Sequence, residues 1–272
     1  MKHLFLFVSF VFLFQIVVSQ DVESIKNKLN NGDYKTAKTE LSNIIQKDTK
    51  NKIALQLRAE AKMGLEDLYG AITDATLALE IDSTFVDALN TRGEAKSLLG
   101  DDDGAILDFD KAIKFAPKAS LAYTNRGLSK YNIEDLQGAY FDFSKALEIG
   151  PPDADKYYNR GVVKAELGEF VSAIDDYNKA IELDKTDANL YNFRGVAYYN
   201  INELDKALAD YNQAITLDAK NVLIYENRAL AKSAKEDYKG ALEDFNKAIE
   251  LDGEDPELLN LRGVVKFNIE DN

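Results

Sequence analysis

Small and large apolar residues recur along this chain at helical spacings and at one longer interval. Alanine stands at Ala37, Ala71, Ala105, Ala139, Ala173, Ala207 and Ala241, in steps of 34 residues. Four residues later comes a large residue, aromatic at Phe109, Phe143, Tyr177, Tyr211 and Phe245. Three beyond that is another small one, Ala78, Ala112, Ala146, Ala180, Ala214 or Ala248. Spacings of three and four place these positions on one face of an α-helix. A second phrase keeps the same interval: "YYNRG" at 157–161 has counterparts whose arginines are Arg58, Arg92, Arg126, Arg160, Arg194, Arg228 and Arg262. Each block is therefore predicted to hold two amphipathic helices joined by a tight turn, and no strand pattern competes.

The turn has its own chemistry. An acid opens each second helix (Asp33, Asp67, Asp101, Asp135, Glu169, Glu203, Asp237), where a carboxylate caps free amides. Gly32, Gly100 and Gly168 are expected to end first helices at positive φ. Sixteen residues after the arginine stands an aspartate: Asp74, Asp108, Asp142, Asp176, Asp210 and Asp244. This predicts a guanidinium–carboxylate bridge between the two helices of each complete block. The competing reading is a ladder of arginines that grips an anionic ligand.

A helix-turn-helix unit of this length, with small residues at these columns, resembles the tetratricopeptide repeat. The blocks run 52–85, 86–119, 120–153, 154–187, 188–221 and 222–255, with a divergent block at 18–51 and a half block at 256–272. The family's first tyrosine column is here Lys62, Lys96, Lys130, Lys164, Lys232 and Lys266; only Tyr198 keeps the tyrosine. The resemblance implies an all-α, right-handed superhelical solenoid over 20–272 whose first helices line a concave surface. On that pattern the groove residues are Asn125, Leu128, Tyr131, Tyr158, Asn159, Val162, Asn192, Val196 and Tyr199. Such a column, apolar and aromatic with asparagines and acids beside it, fits a peptide with hydrophobic residues and some positive charge. The alternative is that packing covers the stripe. The co-chaperone subgroup that holds acidic carboxyl tails uses paired cations in the groove, and no block here supplies them.

Composition narrows the function. Lys2 followed by the apolar run Leu4–Val18 reads as a signal peptide, with cleavage expected after Ser19 and a solenoid left in the periplasm or secreted. Without that leader the net charge moves from -14 to -15, and no His, Cys or Trp remains. An acidic chain is a poor match for nucleic acid, and no membrane insertion is expected after cleavage. No asparagine is followed two positions later by Ser or Thr, which favours a bacterial envelope. Lacking His and Cys, the chain is read as no enzyme and as binding no cofactor or metal; "GDDDG" at 100–104 lacks the spacing of a calcium loop. The reading is an exported scaffold for protein–protein interaction. The alternative is an envelope accessory subunit that contacts glycan for a polysaccharide or cell-wall enzyme. Finally, Leu258, Leu259, Leu261, Val264, Val265, Phe267 and Ile269 leave the last helix largely apolar, from which a homodimer through it is expected.

Overall fold

The computed structural model describes residues 22–253 and 255–270, and the leader expected at 1–19 lies outside them. The helices are α1 (22–30), α2 (Tyr34–Lys47), α3 (Lys52–Met63), α4 (Leu68–Ile81), α5 (Val86–Leu98), α6 (Asp102–Phe115), α7 (Ser120–Asn132), α8 (Leu136–Ile149), α9 (Ala154–Glu166), α10 (Phe170–Leu183), α11 (Ala188–Asn200), α12 (Leu204–Leu217), α13 (Val222–Ala234), α14 (Tyr238–Asp252) and α15 (Pro256–Glu270). Among the described residues there is no strand, and no helix is long and apolar enough to cross a membrane.

The chain divides into two compact units, the first ending at Glu134 and the second beginning at Asp135. Each is a right-handed, all-α stack of helix-turn-helix repeats. Within the first, α3, α5 and α7 touch one another in turn; within the second, α9, α11 and α13 do. These odd-numbered helices share one side of their unit, so the face they present is decided by the same few columns of each block.

The turns follow one design. The turn after each first helix of a full block ends on a left-handed residue: Gly32, Gly100 and Gly168 at φ 76–82°, but also Glu66, Glu134, Asn202 and Glu236 at 62–63°. The acid that follows donates its backbone N–H five residues back, as from Asp101 to Lys96 O at 2.9 Å and from Asp237 to Lys232 O at 2.9 Å. This closes the first helix. The same residue begins the second helix, where Asp67, Asp101, Asp135 and Asp237 each accept from the N–H three positions on at 3.0 Å. Glu169 and Glu203 hold the position without capping. Their extra methylene carries the carboxylate past the amides, to Ser172 Oγ and to Lys206 Nζ respectively.

The glycine of the recurring phrase has a packing reason. A Cβ on Gly93, Gly161 or Gly195 would lie 2.6–2.7 Å from the buried ring of Phe109, Tyr177 or Tyr211. The backbone of the first helix is thus the floor on which the second helix sets its aromatic residue.

The arginine beside it is a three-helix tie. Five of the expected bridges lie within a single unit, Arg58–Asp74, Arg92–Asp108, Arg160–Asp176, Arg194–Asp210 and Arg228–Asp244, and all five are formed. Nε and Nη2 donate to the two carboxylate oxygens at 2.6–2.9 Å. Nη1 reaches back sixteen residues to the preceding second helix, at Ser42, Thr76, Asp110, Ser144, Asn178, Asn212 or Asn246, over 2.5–3.4 Å. The lysine column supplies a further donor, since Lys62, Lys96, Lys164 and Lys232 reach the same aspartates at 2.7–2.8 Å. Burial pushes the Asp108 carboxyl up, but bonds from Arg92 and Lys96 outweigh it and hold the group below the usual aspartate range. With its donors committed to aspartates and to the preceding repeat, the ladder is architecture and leaves little for an anionic ligand.

Candidate functional site

Three of the expected groove residues, Asn125, Leu128 and Tyr131, lie on α7 in the first unit; the other six lie on α9 and α11 in the second. The structure gives the two sets different surroundings.

On α7, Leu121, Asn125 and Leu128 occupy one helical face by their spacing of four and three. Both leucines are exposed, at 57% and 38%. Between them the Asn125 amide Nδ2 is buried and donates to nothing. Tyr131, one turn further, is half-buried. An apolar face around an unused buried donor is poorly matched to water alone.

On α9 and α11 the same columns are largely spent on packing. Tyr158 meets Phe193 edge to face at 5.2 Å and lies 6.4 Å from the Tyr177 ring. Val162, Val196 and Tyr199 are half-buried against the clusters around Tyr177 and Tyr211. Asn192 is buried, and its Oδ1 accepts from Asn227 Nδ2 in the following repeat at 3.0 Å. Asn159 is half-buried.

The first unit also holds a cavity of about 490 Å³, lined by Tyr34, Glu60, Asp87, Asn90, Glu94 and Leu121 among others. Glu60 and Glu94 are open to solvent on one side and crowded by protein on the rest, as expected in a concavity. Loss of water pushes both carboxyls above the usual glutamate range. At Glu60 a hydrogen bond from Gln56 opposes this, the charges of Asp87 and Glu94 add to it, and Lys26 on α1 opposes it least. Asn90 is 6% exposed, and its Oδ1 is buried and accepts nothing.

"GDDDG" is explained by folding. Asp101 caps α6, and the buried Asp102 accepts from Ser97 Oγ at 2.6 Å and Asn132 Nδ2 at 3.2 Å. Among the described residues no three His, Cys, Asp or Glu side chains gather as metal ligands.

Comparison with known families supports the repeat. Residues 163–202 and 195–235 match a TPR repeat model, and residues 222–255 match a tetratricopeptide repeat model. Residues 163–255 carry tetratricopeptide repeats. No curated protein matched by sequence. Solved tetratricopeptide structures match by fold. A tetratricopeptide repeat protein from Parabacteroides merdae aligns at TM-score 0.62 and 21% identity, over 91% of this chain and 98% of that one. YrrB, described as a TPR protein with an unusual peptide-binding site, aligns at 0.61 and 24%, over 70% and 97%. The Cut9–Hcn1 hetero-tetramer of the APC/C aligns at 0.73 and 15%, over 89% of this chain but only 48% of that one, so the present chain spans about half its length. At these identities the shared property is the tetratricopeptide fold.

The cavity was only partly visible in the tetratricopeptide columns. Glu94 reads as a rim acid, but Glu60, Asp87 and Asn90 do not join it in sequence; the signal was the repeat of glutamate at one groove column in successive blocks, Glu60 and Glu94, where later blocks carry Leu128, Val162, Val196 and Leu230.

Proposed function

We propose that this non-catalytic tetratricopeptide module is an exported scaffold that binds an extended peptide segment of a protein partner, with α7 as the centre of recognition. The observation that carries the reading is the Leu121–Asn125–Leu128 face, two exposed leucines flanking a buried amide donor that lacks an acceptor. Apolar side chains of a peptide suit the leucines, and a main-chain carbonyl suits the amide. Export rests on the apolar leader with its basic start. The test is selection of binders from a random twelve-residue peptide library by the full chain, repeated with Asn125→Ala, Leu128→Ala. Peptides recovered by the wild type and lost by a variant of unchanged helicity support the reading; equal recovery by both removes α7 from it.

Self-association through α15 is the second part of the proposal. Leu258 and Val265 are buried against the preceding repeat and Leu261 and Ile269 pack there too, but Val264 and Phe267 stand exposed at 60% and 63%. Sedimentation of the wild type against Val264→Glu, Phe267→Glu checks it; a wild type that stays monomeric at high micromolar concentration ends it.

A further inference from the structure

Two features of the first unit converge on one cavity. Its walls bring Glu60 from α3 and Asp87 and Glu94 from α5 close enough for the charges of Asp87 and Glu94 to act on Glu60. Among the described residues Glu94 has no hydrogen bond or ion pair, and Lys26, the cation acting on Glu60, is exposed on α1. Tyr34 adds an aromatic wall, its ring seated so closely on Gly64 that a Cβ there would lie 2.5 Å from it.

The second, independent feature is Asn90. Its side chain lines the cavity, is more than nine-tenths buried, and holds a carbonyl oxygen with no donor. The equivalent asparagine of the second unit, Asn192, is satisfied by the next repeat. Glu60 accepts from Gln56 Nε2 at 2.5 Å, but an acceptor without a donor beside the unpartnered Glu94 carboxylate calls for a group that is both a cation and a hydrogen-bond donor. Because the terminal torsion of an asparagine is soft, the amide can turn to meet it.

We infer that this cavity receives a basic side chain, a lysine ammonium or an arginine guanidinium, from the bound peptide. Glu60 and Glu94 take the charge, Asn90 Oδ1 accepts one of its N–H groups, Tyr34 flanks the cation, and the apolar stem runs along Leu121. Leu121 belongs both to this cavity and to the α7 face, so the basic residue sits beside an apolar neighbour in the peptide. The inference rests on the peptide-binding reading, and its test separates the two.

The full chain and its Glu60→Gln, Glu94→Gln variant are each used to select from the random peptide library. Sequences enriched in Lys or Arg next to a large apolar residue, whose affinity the variant lowers by about tenfold or more, support the inference. Binders without basic enrichment, taken equally by both proteins, overturn it and leave peptide binding intact. If no peptide is recovered, the peptide reading fails, and titration with n-butylguanidinium judges the cavity alone. Amide shifts at Glu60, Asn90 and Glu94 that the variant lacks keep the cation site; a flat titration overturns it.

Discussion

The two units are built on the same frame and differ in what they do with their odd-numbered helices. In the second, one column carries Val162, Val196 and Leu230, and the neighbouring aromatic residues close over it; Asn192 and Asn227 satisfy each other across the repeat boundary. In the first, that column carries Glu60, Glu94 and Leu128, and the Asn90 and Asn125 pair leaves an acceptor and a donor unused. Yet the arginine ties are alike in both. The columns that tie the repeat together are therefore separate from those proposed above for recognition, which lets the second set vary while the first stays fixed.

The sharpest way to break that frame is within the second unit, where one repeat lacks the lysine. Asp210 is bridged by Arg194 alone, since Tyr198 stands in the lysine column, whereas Asp176 has both Arg160 and Lys164. Arg194→Ala strands a buried carboxylate and is expected to cost about 4 kcal/mol. Arg160→Ala leaves Lys164 in place and is expected to cost about 2 kcal/mol. Urea denaturation followed by circular dichroism measures both. Equal losses would show that the lysines add nothing.

Next in size is a contrast between the faces themselves. Tyr158→Ala removes a ring packed on Phe193 and Tyr177 and is expected to cost about 2 kcal/mol. Leu128→Ala, at an exposed position, is expected to stay within about 0.5 kcal/mol. The same denaturation curves decide it, and a Leu128 effect as large as that of Tyr158 would mean the α7 face is already covered in the free protein.

The frame was legible in the sequence because each tie repeats every block: the alanine columns, the aromatic residue and the Arg–Asp pair all announce themselves by period. Two ties were missed for a physical reason. Arginine presents more donors than one carboxylate can use, so its third direction had to end somewhere, and the polar column from Ser42 to Asn246 was the place. The lysine column looked like a departure from the family when it was a second donor to the same aspartate. The groove was less legible because period places a residue on a face without saying whether its neighbours cover it. Tyr158 and Leu128 occupy the same stripe, but Phe193 is there to meet the first while the second remains exposed.

The carboxylates of the first unit give a pH signature. Glu60 and Glu94 bind their protons more tightly in the folded chain than the ordinary value of 4.5, first because burial strips their water. The stability they contribute is full below that value and is lost as pH rises through the raised one. Wild-type urea midpoints should therefore fall with rising pH from about 4.5, and Glu60→Gln, Glu94→Gln should flatten the fall and be the more stable protein at pH 7. Glu226 in the second unit, raised first by burial and then by Glu257 and Asp255, adds a smaller slope of the same sign that the double variant keeps. Parallel curves for the two proteins would mean that these carboxylates are well solvated.

The smallest effect concerns a position at which the units agree. Gly32, Gly100 and Gly168 adopt the left-handed turn freely, while Glu66 and Glu236 hold it with a side chain at φ 62° and 63°. A Cβ in that region crowds the following carbonyl, a cost that glycine does not have. Glycine gives back part of this advantage through its freer unfolded chain. The balance for Glu66→Gly in the first unit and Glu236→Gly in the second is a gain of about 0.5 kcal/mol each. Because the turn is the same in both, the two gains should be equal within error by chemical denaturation. An unequal pair would mean that one of these glutamates does something besides turning the chain, and the unit in which it sits would be the one to search for a further contact.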